Sequence, residues 1–105
     1  MTHPEITVHF RLLQLDAMQA YTLRREIEGA YFHKHDDSAA FIGFVPLTEA
    51  LFDELNDYII RQQIQYDECD IYVKAVNAEG DVDVPRVVNK LLKYIDCKLT
   101  YAFVK

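Results

Sequence analysis

The chain has 105 residues, half of them hydrophobic and 12% aromatic, with 17 acids against 11 Lys and Arg for a net charge of −6. That composition excludes intrinsic disorder, supplies a modest core for a single domain, and argues against direct nucleic-acid binding, since phosphates attract Lys and Arg. Two cysteines, Cys69 and Cys97, are too few for a disulfide framework, and no apolar stretch reaches the roughly 20 residues of a membrane span.

Residues 5–14 alternate, with Ile6, Val8, Phe10 and Leu12 on one side and Thr7, His9, Arg11 and Leu13 on the other. Period-two alternation of β-branched and aromatic residues predicts a strand with one buried face. Asp16 and Gln19 stand at capping-box spacing. Ala20, Leu23 and Ile27 then recur at helical spacing up to Gly29, which predicts a helix over 17–28.

Residues 30–35 and 39–45 flank His35-Asp36-Asp37-Ser38, a turn-forming string, and predict a hairpin ended by Pro46. Thr48 is placed to cap the next helix, with Leu47 and Phe52 as a hydrophobic staple. Leu51, Leu55, Tyr58, Ile59 and Gln62 trace its apolar side, so the helix should reach about residue 64. Residues 69–76 predict a strand, and 77–80 a turn. Pro85 suits a first helical turn, and Val84, Val87, Val88, Leu91, Leu92 and Ile95 form the cleanest amphipathic pattern in the chain. Residues 97–104 alternate as a last strand.

The predicted order is β-α-β-β-α-β-α-β. Its first six elements are the split β-α-β core of a ferredoxin-like α+β fold, extended by a C-terminal αβ unit. One sheet with helices on one face is expected. The run over 69–104, a strand, a Gly-containing turn, a Val/Pro-started helix and a closing strand, resembles small bacterial ferredoxin-like domains of unassigned function. The resemblance rests on element order and implies a fold, not an activity.

Charge is sorted along the chain. Residues 49–83 hold ten acids against Arg61 and Lys74, and residues 86–105 hold five bases against Asp96. An acidic side favours a basic partner. Glu49, Asp53, Glu54, Asp57, Tyr58, Tyr66, Asp67 and Glu68 are the expected partner-binding residues, because tyrosines among acids suit a protein interface. The function expected from this pattern is a small non-catalytic binding protein. An immunity-type inhibitor that docks on a basic nuclease or toxin fits its size and sign.

The alternative is a homodimeric ligand-binding or regulatory domain that works through its open sheet face, with His9, Arg11, Tyr31, His33, Tyr72 and Lys74. His33 and His35 are weak metal candidates, since alternate strand residues point the same way. No Gly-rich phosphate loop or nucleophile motif is present, so neither enzyme activity nor a cofactor is expected. Met1-Thr2-His3-Pro4 leads into no signal-peptide pattern, and a cytoplasmic location with reduced thiols is expected.

Overall fold

The computed structural model describes residues 5–76, 86–93 and 95–104. It is an α+β fold with three helices and one mixed sheet of five strands. In chain order the elements are β1 (Glu5–Leu15), α1 (Ala17–Glu26), β2 (Tyr31–Lys34) and β3 (Phe41–Pro46). They continue as α2 (Phe52–Arg61), β4 (Cys69–Val76), α3 (Arg86–Leu92) and β5 (Lys98–Val104). Among the described residues, no helix is long and apolar enough to cross a membrane.

The strands lie in the order β2-β3-β1-β4-β5. β1 is central and runs antiparallel to both neighbours, β3 and β4. β2 and β3 form the antiparallel hairpin, and β5 joins the sheet parallel to β4. The parallel pair needs a crossover, and α3 lies in the connection.

Alternation along β1 breaks once. Leu12 pairs with Gly43 and Leu15 with Phe41, so β1 carries one extra residue there, a bulge. The bulge returns Leu15 to the buried side that Leu12 already occupies. Gly43 sits beneath it. A Cβ there would lie 2.5 Å from Leu23 Cδ2 and 2.8 Å from Leu15 Cδ1, so α1 can approach β3 only over a glycine.

The core joins Phe10, Leu12, Val45, Ile71 and Val73 of the strands to Leu23 of α1, Leu55 and Ile59 of α2, and Val88 and Leu91 of α3. Tyr58 is wholly buried among them, and its hydroxyl donates to the Gln19 carbonyl at 2.6 Å. That bond ties α2 to the first turn of α1, and burial pushes the phenol pKa well above its ordinary value. Toward the ends of the strands the core side opens: Ile6 is 39% exposed, Tyr101 38% and Phe103 58%.

The α1 capping box forms as predicted, with Asp16 Oδ1 accepting from Gln19 N at 2.7 Å and Gln19 Oε1 accepting from Asp16 N at 2.9 Å. The helix ends at Glu26 and Ile27 serves as its C-cap, two residues earlier than predicted. Gly29 takes the left-handed conformation in the turn that follows. Thr48 makes no side-chain cap bond. A single 3₁₀ turn, Glu49–Leu51, precedes α2 instead. α2 stops at Arg61 because Gln63 adopts a positive φ and breaks the helical path. The predicted 77–80 turn, the acids up to Asp83, Val84 and Pro85 lie outside the described residues.

Gly43→Ala should destabilise the fold by about 1–3 kcal/mol, the usual range for overpacking a tight core site. A urea titration checks this, and an unchanged midpoint would show that Leu15 and Leu23 move aside at no cost.

Candidate functional site

The side of the sheet opposite the core cluster carries an unusual set of side chains. Register places them: Tyr31 faces Phe44, Arg11 lies between Phe44 and Asp70, His9 faces Tyr72, and Tyr72 faces Thr100. These are the alternate residues to Phe10, Leu12, Ile71 and Val73, so strand pleating sends them the other way.

At the β2 side four rings gather. Tyr31 and Phe44 stack with centroids 4.9 Å apart and planes within 10°. His33 meets both edge-on, at 5.6 Å from Tyr31 and 5.5 Å from Phe44. His9 completes the group at 5.9 Å from Tyr31, whose hydroxyl stands 3.5 Å from His9 Nε2. Burial among these rings lowers the His9 pKa below its ordinary value.

At the β5 side Asp70 organises the surface. It is only 3% exposed although it lies on the polar face. Arg11 Nε donates to Asp70 Oδ1 at 2.7 Å, and Arg11 Nη2 donates to Oδ2, which gives a two-pronged pair. Thr100 Oγ1 adds a third donor to Oδ2 at 2.8 Å. The guanidinium lies 4.3 Å from the centre of the Tyr72 ring, a cation–π contact. Hydrogen bonding to Asp70 raises the Arg11 pKa further, so this cation is permanent.

Arg11, Lys74 and Lys98 lie on this side, and Asp70 is already held by Arg11. Both lysines are exposed. The face is locally basic on a chain of net charge −6.

The predicted acidic site fares differently. Tyr58 is 0% exposed and offers nothing to a partner, because its position on α2 points into the core. Glu49 is paired with Lys90 of α3 at 2.9 Å, a contact that linear charge counting did not show. Asp57 is held by Arg61 at 2.8 Å, and the same guanidinium reaches Glu26 of α1 at 2.6 Å. Asp53 and Glu54 are exposed and have no ion pair among the described residues. Tyr66, Asp67 and Glu68 form a separate 3₁₀ turn beyond the end of α2. Glu49, Asp53, Lys90 and Lys93 share the rim of a groove between α2 and α3, so that side mixes both signs.

His33 and His35 have different surroundings. His33 belongs to the ring cluster, and His35 Nδ1 accepts the Asp37 amide at 3.2 Å in the hairpin turn. Among the described residues, no group of three or more His, Cys, Asp or Glu converges on one point. Phe44 and Asp70 were missed as site residues by sequence reading. Phe44 follows from strand alternation once the β2–β3 register is known, whereas the burial of Asp70 needs the three-strand contact.

Asp70→Asn should cost about 2 kcal/mol, less than a fully buried pair because Arg11 keeps some contact with water. Chemical denaturation reads this directly, and a loss within error would mean that solvent replaces the carboxylate. His9 makes a pH-dependent contribution. Its folded pKa is lowered, so the unfolded chain binds the proton more readily. Its share of stability is therefore complete above about pH 6.5 and is lost as pH falls through the unfolded value toward the folded one. The fall in stability from about pH 7 to about pH 5 should be shallower in His9→Gln than in the unaltered chain. Parallel slopes in thermal melts would remove His9 from this role.

No protein-family model, no curated protein and no solved structure matches the chain.

Proposed function

We propose that this chain is a binding domain whose working surface is the aromatic, basic face of the sheet. Its occupant is an acidic protein segment that carries apolar or aromatic side chains. The observation that supports this reading is the pairing of the Tyr31–Phe44–His33–His9 ring cluster with the exposed cations Lys74 and Lys98 on one side of one sheet. Rings supply contact area at low entropic cost, and exposed cations supply steering and selectivity for acids. From β2 to β5 the surface spans about 19 Å, four strand spacings, a width suited to a protein segment.

The fold reading agrees with this. The order β2-β3-β1-β4, with β3 and β4 antiparallel to β1, supports a ferredoxin-like split β-α-β core that α3 and β5 would extend. In that arrangement the helices cover the core side and leave the ring-bearing side for a partner. A face-to-face homodimer fits less well, because it sets two basic surfaces against each other. A cytoplasmic setting accords with the two unpaired thiols.

A second reading keeps the acidic side as the interface, with the chain acting as an immunity-type inhibitor of a basic nuclease or toxin. Exposed Asp53, Glu54 and Asp67 favour it. Lys90 and Arg61 weaken it, since each neutralises an acid of the proposed set.

Two synthetic probes separate the readings. A random copolymer of glutamate and tyrosine should bind the chain in fluorescence anisotropy at low salt. Binding should weaken at least about tenfold in the Lys74→Glu, Lys98→Glu double variant and hold in Asp53→Lys, Glu54→Lys. The reverse pattern with a lysine–tyrosine copolymer would transfer the interface to the acidic side. Equal binding of the acidic probe by both variants would overturn the sheet-face reading. A concentration-dependent dimer abolished by Lys74→Glu, Lys98→Glu would replace the acidic partner by a second copy.

A further inference from the structure

Cys69 opens β4, and Cys97 lies one residue before β5. These strands are parallel and in register at Asp70 with Lys98 and at Ile71 with Leu99. Continued one residue earlier, the same register would set Cys69 opposite Cys97. Both belong to the core side of the sheet. Cys69 is part of the buried cluster, and Cys97 packs against it while remaining partly exposed. Adjacent strands stand about 4.8 Å apart, inside the Cα separations of roughly 4.4–6.8 Å that a disulfide spans. Cys97 contributes directly to the electrostatic environment of Cys69, as expected of neighbours.

We propose that Cys69 and Cys97 form a cross-strand dithiol, which a small-molecule disulfide oxidises to an intramolecular Cys69–Cys97 bond. Burial sets the order of events. Cys97 is the accessible thiol, so its thiolate attacks one sulfur of the small disulfide, forms a mixed disulfide and expels one thiolate. Cys69 then attacks the Cys97 sulfur, closes the protein disulfide and expels the second. Two protein thiols and one small disulfide become one protein disulfide and two small thiols, the two protons passing to the released thiolates. The protein is oxidised and the small disulfide is reduced.

Two features bear on rate and consequence. Burial pushes the Cys97 thiol up to about 11 and the Cys69 thiol up to about 12. The thiolate is the nucleophile, so exchange is slow at neutral pH and should quicken by about tenfold per pH unit below those values. The new bond would close the loop that carries α3 and pin the start of β5 to β4. Asp70 and Lys98 are the next residue pair along, so the bond would also hold Thr100 against Asp70.

The test uses the full chain and oxidised glutathione. After reaction, acid quenching and alkylation under denaturing conditions, intact mass should show a monomer lighter by two hydrogens, with no glutathione and no alkyl group. Dithiothreitol should restore both thiols, and the oxidised form should melt higher by about 10 °C or more. Cys69→Ala should stop at one glutathione on Cys97, and Cys97→Ser should take up none while folded. A wild-type chain that keeps glutathione on Cys97, leaves both thiols open to alkylation, or cross-links between molecules overturns the proposal. The wild-type result decides even where circular dichroism shows that Cys69→Ala does not fold.

Discussion

The register of β1 decides what is core and what is surface. β1 is bonded along both edges, and every residue from His9 to Leu12 faces partners on β3 and β4 at once. A slip of one residue would turn Phe10 and Leu12 out of the core and drive Arg11 into it. Arg11 guards against that slip. Its fork meets both oxygens of Asp70, directly opposite on β4, and planar two-pronged pairing tolerates only one alignment. The worth of this pair lies in geometry more than in net stability, because desolvating Asp70 offsets much of the attraction. Thr100 carries the same anchor across to β5, so a single carboxylate serves three strands.

Folding rearranges the charge pattern that dominates the linear sequence. Residues 49–83 are strongly acidic and residues 86–105 basic, yet the fold places the second stretch beside the first. Lys90 reaches Glu49, and Arg61 bridges Asp57 to Glu26. These are exposed pairs worth little stability each, but they erase part of the field that a linear count implies. On the sheet the reverse holds. Lys74 comes from the acidic stretch and Lys98 from the basic one, and strand pairing puts both on one side of the sheet.

The elements were legible in the sequence because they rest on local rules. Alternation showed β1, β4 and β5, and Asp16 with Gln19 showed where α1 begins. The boundary errors came from competition among local signals. Thr48 has the right chemistry for a cap, but a 3₁₀ turn intervenes, and the turn at Gln63 cuts α2 short of residue 64. Tyr58 illustrates a second limit. Its apolar neighbours Leu55 and Ile59 placed it on the buried side of α2, while its acidic neighbours suggested an interface. The hydroxyl partner that settles the matter is the Gln19 carbonyl, 39 residues away, which no local rule can supply. The candidate site was half visible for the same reason. His9, Arg11, Tyr72 and Lys74 follow from alternation, whereas Tyr31 and His33 join them only through the β2–β3 register, and the Arg11–Asp70–Thr100 network depends on strand order.

An acid at the centre of a surface that would receive acids needs a physical account, and the geometry provides one. Asp70 takes up the charge of Arg11 and fixes its guanidinium over the Tyr72 ring, so Arg11 becomes part of the scaffold and not a steering cation. Lys74 and Lys98 keep their charge exposed, where it would act at a distance on the proposed partner. Tyr31, Phe44 and His33 act only on contact, through stacked and edge-on rings. Long-range charge governs how fast a partner arrives, and buried ring contacts govern how long it stays. On the proposed reading, spending one acid on one arginine would separate those two tasks between the β5 and β2 sides of the sheet, so that affinity could change on one side without altering encounter on the other.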